Sequence, residues 1–167
     1  MIFVAGVSGL ALEFLILTAA RSGEVRGACW SELDLKKKLW TIPAARMKAG
    51  NIHAVPLSAA AVDVVQRARA FRSPRSDLVF PGQSSKRPLS DMTLLKILRD
   101  RDEDYTVHGF RSAFRDWVAE KTDYPGEVAE AALAHTIANK VEAAYRRTDY
   151  LDKRKPLMKD WGEFCKA

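Results

Sequence analysis

Residues 33–58 read LDLKKKLWTIPAARMKAGNIHAVPLS. Three short runs inside this stretch, LDL (33–35), LWTIP (39–43) and HAVPL (53–57), are rich in residues that suit a pleated, half-buried surface. Lysines separate the first two runs, and AARMKAGNI separates the last two. Runs joined this closely pair as antiparallel neighbours, so the stretch predicts a small three-stranded antiparallel sheet. The rest of the chain has helical periodicity, which makes the fold class mainly α with a small sheet (α+β).

Working outward, residues 10–20 (LALEFLILTAA) are apolar nearly all round, the pattern of a helix buried inside a domain. SGEVRGA follows as a second short helix. After the sheet, Ser58 is placed to cap a helix that carries Ala61, Val64, Ala68 and Phe71 on one face. Ser90 or Asp91 caps another, with Leu94, Ile97 and Leu98 on one side. Phe110, Phe114, Trp117 and Val118 form the stripe of a third, and Val128, Ala132 and Leu133 bury a fourth. Val141, Ala144, Tyr145 and Thr148 share a further face. Leu157, Met158, Trp161, Phe164 and Cys165 make the last helix amphipathic. No repeat and no long linker divides the 167 residues, a length that suits one core.

The composition, 47% hydrophobic and 29% charged, excludes an intrinsically disordered chain. The net charge of +6 leans toward an anionic partner, most simply nucleic acid. Cys29 and Cys165 are far apart beside Trp30 and Phe164, as expected of buried free thiols in a reducing compartment. No Cys or His spacing suits a metal. The apolar N-terminal stretch lacks a basic start and is interrupted by Glu13, which argues against a signal peptide or membrane span. A cytoplasmic protein with no membrane contact is expected.

Several residues could carry chemistry. In TVHGFRSAFRDW (106–117), His108 and Arg111 are one helical turn apart at a helix start, where free N–H groups add positive potential. At 100° per residue, His108, Arg111 and Arg115 are expected on the flank opposite the aromatic stripe, either as a solvated face or as an anion site. Arg21 ends a buried helix and must be paired or point into a cleft; Glu24 is its obvious partner. Lys48 sits in the turn between two strands, where lysines are usually solvent-exposed. His135 follows a helix, and Tyr145 serves either as a core aromatic or as a reactive phenol.

In order along the chain, these residues lie in TAARSGEV, RMKAGNIHAVPLS, HGFRSAF, LAH and VEAAYRR. Together the blocks resemble the catalytic domain of tyrosine recombinases, the phage integrase family. The ending AHTIANKVEAAYRRTDYLDKRKPLMKDWGEF is similar to integrases of satellite phages and genomic islands. The resemblance covers essentially the whole chain, and it implies the fold of that domain and a catalytic set of Arg21, Lys48, His108, Arg111, His135 and Tyr145. Tyr145 matches the nucleophile that attacks a DNA phosphodiester, leaving a 3′-phosphotyrosine and a free 5′-hydroxyl. Arg21 and Arg111 match the arginines on the non-bridging oxygens, and Lys48 the acid that protonates the departing oxygen. His108 and His135 match positions that hydrogen-bond the phosphate or assist proton transfer, and Glu24 an accessory position that orients Arg21. These roles make physical sense: a phenol with a pKa near ~10 is ionised in only about one molecule per thousand at neutral pH, and a cationic cleft lowers that cost.

The resemblance implies no cofactor and no metal. It implies double-stranded DNA as partner, a tetramer of the full-length protein on paired sites, and a bacterial cytoplasmic location on the nucleoid. Residues 1–167 are expected to be the catalytic domain alone, monomeric in isolation and weakly active, without the N-terminal arm- and core-binding domains. Two alternatives compete: a type IB topoisomerase-like enzyme, and a catalytically inactive DNA-binding remnant.

Overall fold

The computed structural model of the protein describes residues 6–101, 105–135 and 148–166. Seven α-helices are named among the described residues: α1 (Val7–Thr18), α2 (Ser22–Arg26), α3 (Ala59–Ala68), α4 (Thr93–Arg99), α5 (Gly109–Lys121), α6 (Gly126–Ala132) and α7 (Leu151–Phe164). Between α2 and α3 runs a sheet of β1 (Leu33–Asp34), β2 (Leu39–Ile42) and β3 (His53–Pro56) in the order β1-β2-β3. Both pairings are antiparallel, with Leu33 opposite Trp40 and Trp40 opposite Val55. The mainly helical architecture with a small sheet is thus as expected. Among the described residues no helix is long and apolar enough to cross a membrane.

Helix α1 owes its central place to its composition. Leu10, Leu12, Phe14, Leu15 and Leu17 are all buried, so the helix needs partners on every side. Phe14 meets Trp40 of β2 at 5.2 Å and Phe80 at 5.5 Å between ring centroids. Its one charged residue, the buried Glu13, accepts a 2.6 Å bond from Arg67 of α3. Ser58 caps α3 as the sequence predicts, its hydroxyl accepting the Ala61 N–H at 3.2 Å. One core gathers α1, the sheet, α3 and α4; a second gathers α5, α6 and α7. Ile16 and Cys165 touch both, and the Trp161 indole of α7 donates to the Ile16 carbonyl at 2.8 Å.

Helix α7 packs on its own chain. Leu157, Met158 and Trp161 are buried, and Trp161 meets Phe114 of α5 edge-on at 5.2 Å. Gly162 lets α7 approach the start of α3: a Cβ there would stand 2.4 Å from both Cβ and Oγ of Ser58.

Several side chains depart from the sequence pattern. Phe71 is 40% exposed, because α3 ends at Ala68 and the chain tightens into a 3-10 turn over Arg69–Phe71 that rotates it away. Phe164, at the end of α7, is 53% exposed although it stacks on Trp161. Phe110 is only half-buried, and so are both free cysteines. Val141, Ala144 and Tyr145 lie outside the described residues.

Gly162→Ala is expected to force α7 off α3 and destabilise the fold by about 1–3 kcal/mol. Urea unfolding checks this; an unchanged midpoint would show that the contact relaxes without strain.

Candidate functional site

Arg21 occupies the N-cap position of α2, between two helices, so its side chain leaves the core where the chain turns. Glu24 fixes it twice. The Arg21 backbone N–H donates to Glu24 Oε2 at 2.9 Å, and Arg21 Nη1 donates to Glu24 Oε1 at 2.9 Å. Glu24 itself is buried, and its carbonyl accepts from Arg46 Nη2 at 3.0 Å. Arg46 also reaches Glu32, which accepts the Trp40 indole N–H at 2.9 Å. The Arg21 anchor is thereby tied to the sheet.

Arg111 corrects an expectation. It does not lie on a solvated flank of α5; it is 3% exposed. Residues 111, 114 and 118 are spaced i, i+3, i+7, so Arg111 shares the inward face with Phe114 and Val118. Its guanidinium donates to the carbonyls of Ala19 at 2.5 Å and Leu133 at 2.7 Å. Burial and the charge of Arg21 push its pKa down to about 10, against the pull of Glu24 and Glu130, so it stays charged at neutral pH. Its Nε is buried with no protein acceptor among the described residues.

His108 precedes α5 and is exposed. The helix start is held by Thr106, whose hydroxyl accepts the Gly109 N–H at 2.9 Å. A cavity of about 460 Å3 opens here, and Arg21, His108 and Arg111 line it together with Ser22 and Asp91.

His135 follows α6. Arg111 Nη2 lies 3.2 Å from His135 Nε2, so that nitrogen accepts; Nδ1 then carries the proton and donates to Glu130 Oε2 at 2.6 Å. Glu130 also accepts from Arg115 Nε. Burial raises the Glu130 pKa, but the hydrogen bonds from His135 and Arg115 outweigh it and hold the carboxyl below its ordinary range. Arg115, expected to be a surface contact, thus holds the carboxylate that orients His135. Neither Glu130 nor this use of Arg115 was read from the sequence; the i, i+5 spacing from Glu130 to His135 across a helix end was the signal available.

His53 is a further residue that the sequence did not single out. It sits on β3 with Nε2 3.2 Å from the Ala132 carbonyl, so Nε2 carries the proton. Side chains from β3, α5 and the start of α2 therefore converge on the end of α6. The Ala132 carbonyl accepts from His53, and just beyond the helix Leu133 accepts from Arg111 and Ala134 from Arg21, the last at 3.3 Å.

The structure brings Arg21, Glu24, His108, Arg111 and His135 to one locus. Lys48 is exposed in the β2–β3 connection, beside the buried Met47, and does not line the cavity. Tyr145 lies outside the described residues. The arrangement is two guanidiniums and an imidazole at the starts of α2 and α5, donors whose charge and geometry suit a tetrahedral oxyanion.

The family model described as "Phage integrase family" matches residues 6–151. The prophage integrase IntA of Escherichia coli K12 is 36% identical over 155 residues, covering 91% of this chain and 37% of the relative. The integrase of Enterobacteria phage P4 is 32% identical over 173 residues, covering 93% and 39%. The chain thus spans about two-fifths of the length of the curated relatives it matches. Among solved structures, a lambda integrase (75–356) dimer bound to a COC′ core site has a similar fold, with TM-score 0.57, 18% identity, and coverage of 87% of this chain and 53% of that one. The Tn1549 transposon integrase in complex with circular intermediate DNA follows, with TM-score 0.54, 14% identity, and coverage of 84% and 58%.

One electrostatic feature is testable by itself. Burial and the Arg154 charge lower the His53 pKa from its ordinary 6.5 to about 4; Arg21 adds to this, while the Ala132 carbonyl and Glu24 oppose it. Between those values the unfolded chain binds a proton at His53 that the folded chain does not, so stability falls as pH drops through that window. The total is about 3 kcal/mol, from ~1.4 kcal/mol per unit. His53→Gln is expected to make the decline of the urea midpoint from pH 6.5 to 4 shallower than in the parent. Equal slopes would rule out His53 as the titrating group.

Proposed function

The chain belongs to the phage integrase family, and from that we propose that it is the strand-transferring part of a tyrosine site-specific recombinase that cuts and rejoins double-stranded DNA. The observation that carries the proposal is the cavity shared by Arg21, His108 and Arg111, with His135 hydrogen-bonded to Arg111. Burial, and after it the nearby Arg21 charge, depresses the Arg111 pKa, so the two guanidiniums repel one another across the site. A phosphodiester entering between them relieves that repulsion.

In the proposed reaction Tyr145 gives its phenolic proton to His135 Nε2 as its oxygen attacks phosphorus, and the bond from phosphorus to the 5′-oxygen breaks. The product is a 3′-phosphotyrosine and a free 5′-hydroxyl. Lys48 donates the proton that the departing oxygen needs, a contribution of roughly 10²–10⁴ in rate. Arg21 and Arg111 hold the non-bridging oxygens as charge builds on them. His108 hydrogen-bonds the phosphate, and His135, whose Nε2 is left as an acceptor by the tautomer that Glu130 sets, moves a proton. Because the phosphotyrosine retains the bond's energy, attack by the 5′-hydroxyl of a second strand reverses the step and joins new partners without ATP.

Residues 1–167 supply the catalytic domain in this proposal, and regions outside them supply most of the site recognition. The full protein acts as a tetramer on paired DNA sites in a bacterial cell, integrating or excising a prophage or genomic island. Base selection then rests on few contacts, since most cationic side chains hold the DNA backbone.

The test is a nicked suicide duplex, from which the cleaved end diffuses away, incubated with the longest natural form of the protein. A randomised duplex pool supplies the recognition site. The protein is expected to become covalently joined to DNA, Tyr145→Phe to form no adduct, and Arg111→Ala to form it about 10²–10³ more slowly. Absence of an adduct, or one that survives Tyr145→Phe, would reject the proposal.

A further inference from the structure

Arg154 lies on α7, away from the cavity, and is 1% exposed. Its Nη1 donates to the Ala54 carbonyl of β3 at 2.7 Å, and its Nη2 donates to Asp149 Oδ2 at 2.9 Å. The other Asp149 oxygen, Oδ1, accepts the Leu151 N–H at 3.1 Å. The Arg154 Nε is buried with no acceptor among the described residues. Arg154 therefore fastens the entry to α7 onto a strand.

As a source of stability this is a poor arrangement. Asp149 is 64% exposed, and ion pairs with one partner in water contribute little. Burying an arginine costs desolvation that a well-packed apolar side chain avoids. What the arrangement does supply is geometry. Ala54 follows His53, which donates to the Ala132 carbonyl at the end of α6. Ala54 and His53 pair with Thr41 and Ile42 of β2, the strand that leads into the Lys48 connection. Two adjacent residues of β3 thus relate three elements: the end of α6 that leads to His135, the turn that bears Lys48, and the start of α7.

Asp149 is four residues along the chain from Tyr145. Four residues span at most ~14 Å, so fixing Asp149 limits where the phenol can reach. We propose that Arg154 is a positioning residue for the tyrosine step, holding Asp149 against β3 and so limiting how far from that strand a tyrosine four residues away in the sequence can range. The proposal rests on the recombinase function above.

The test uses the longest natural form of the protein and a nicked duplex selected from a randomised pool by its adduct with the parent. Arg154→Met, Arg154→Lys and Asp149→Asn are compared for single-turnover adduct rate, for non-covalent DNA affinity in a Tyr145→Phe background, and for urea midpoint. Asp149→Asn weakens the same link at an exposed position, removing the charge and leaving one acceptor oxygen where Arg154 and the Leu151 N–H now use two, so it remains informative if Arg154→Met fails to fold. Arg154→Met and Asp149→Asn are expected to slow the adduct about 10- to 100-fold at unchanged affinity and midpoint, with Arg154→Lys recovering part of the loss. Replacing the bridging 5′-oxygen with sulfur, a leaving group that needs no protonation, is expected not to restore the Arg154→Met rate. Rates equal to the parent's, losses that follow affinity or midpoint, or rescue by sulfur would each overturn the proposal. A parent that forms no adduct would instead reject the recombinase function itself, and this proposal with it.

Discussion

The C-terminal end of α6 is the constraint on which the rest of the site depends. Its last turn leaves carbonyls without helical partners, as every helix does. Here backbone N–H groups take those of residues 129–131, and side chains from three distant parts of the chain take the last helical carbonyl and the two that follow it: His53 on β3 takes Ala132, Arg111 on α5 takes Leu133, and Arg21 before α2 takes Ala134. Positive charge at this end of a helix is favoured by the dipole as well. The same bonds that complete α6 therefore aim two guanidiniums and bring His135 to hydrogen-bonding distance of Arg111. Ala134, with φ of 49°, turns the chain out of the helix so that His135 can fold back toward Glu130.

The outer supports follow from this arrangement. Glu24 is buried and holds Arg21 by side chain and backbone together, so the arginine cannot collapse onto Arg111. Glu130 is shared between Arg115 and His135, which fixes the imidazole tautomer. The aromatic contacts of Phe114, Trp117 and Trp161 lock α5 against α7 and so set where Arg111 begins. Burying a charged arginine is tolerable because the carbonyls of Ala19 and Leu133 accept its hydrogen bonds.

Much of this fold was legible in the sequence, for identifiable reasons. The sheet showed itself through three short runs of β-forming residues, and α1 through apolar residues on all sides. Ser58 declared itself by its type and place before an apolar periodic segment. The inward turn of Arg111 was not legible from polarity, since an arginine in a helix is normally assigned to the wet side. Its true face follows from its spacing to Phe114 and Val118, and only carbonyls contributed by residues 19 and 133 make that burial affordable. Glu130, Arg115, His53 and Arg154 were missed for the same reason: each acts through partners distant in sequence or across a helix end, which periodicity does not encode. The order of the candidate residues and their resemblance to a family carried the functional expectation; the structure adds how Arg21, His108, Arg111 and His135 are held together.

The proposed reaction transfers DNA strands through a tyrosine ester of one polarity. The most direct measurement is to trim the covalent adduct with nuclease, digest it with protease and identify the modified peptide by mass, while labelling the released DNA end with a kinase. A 3′-linked nucleotide on Tyr145, with a free 5′-hydroxyl on the other fragment, is the predicted result. A nucleotide on any other residue, or attachment through a 5′-phosphate, would contradict it.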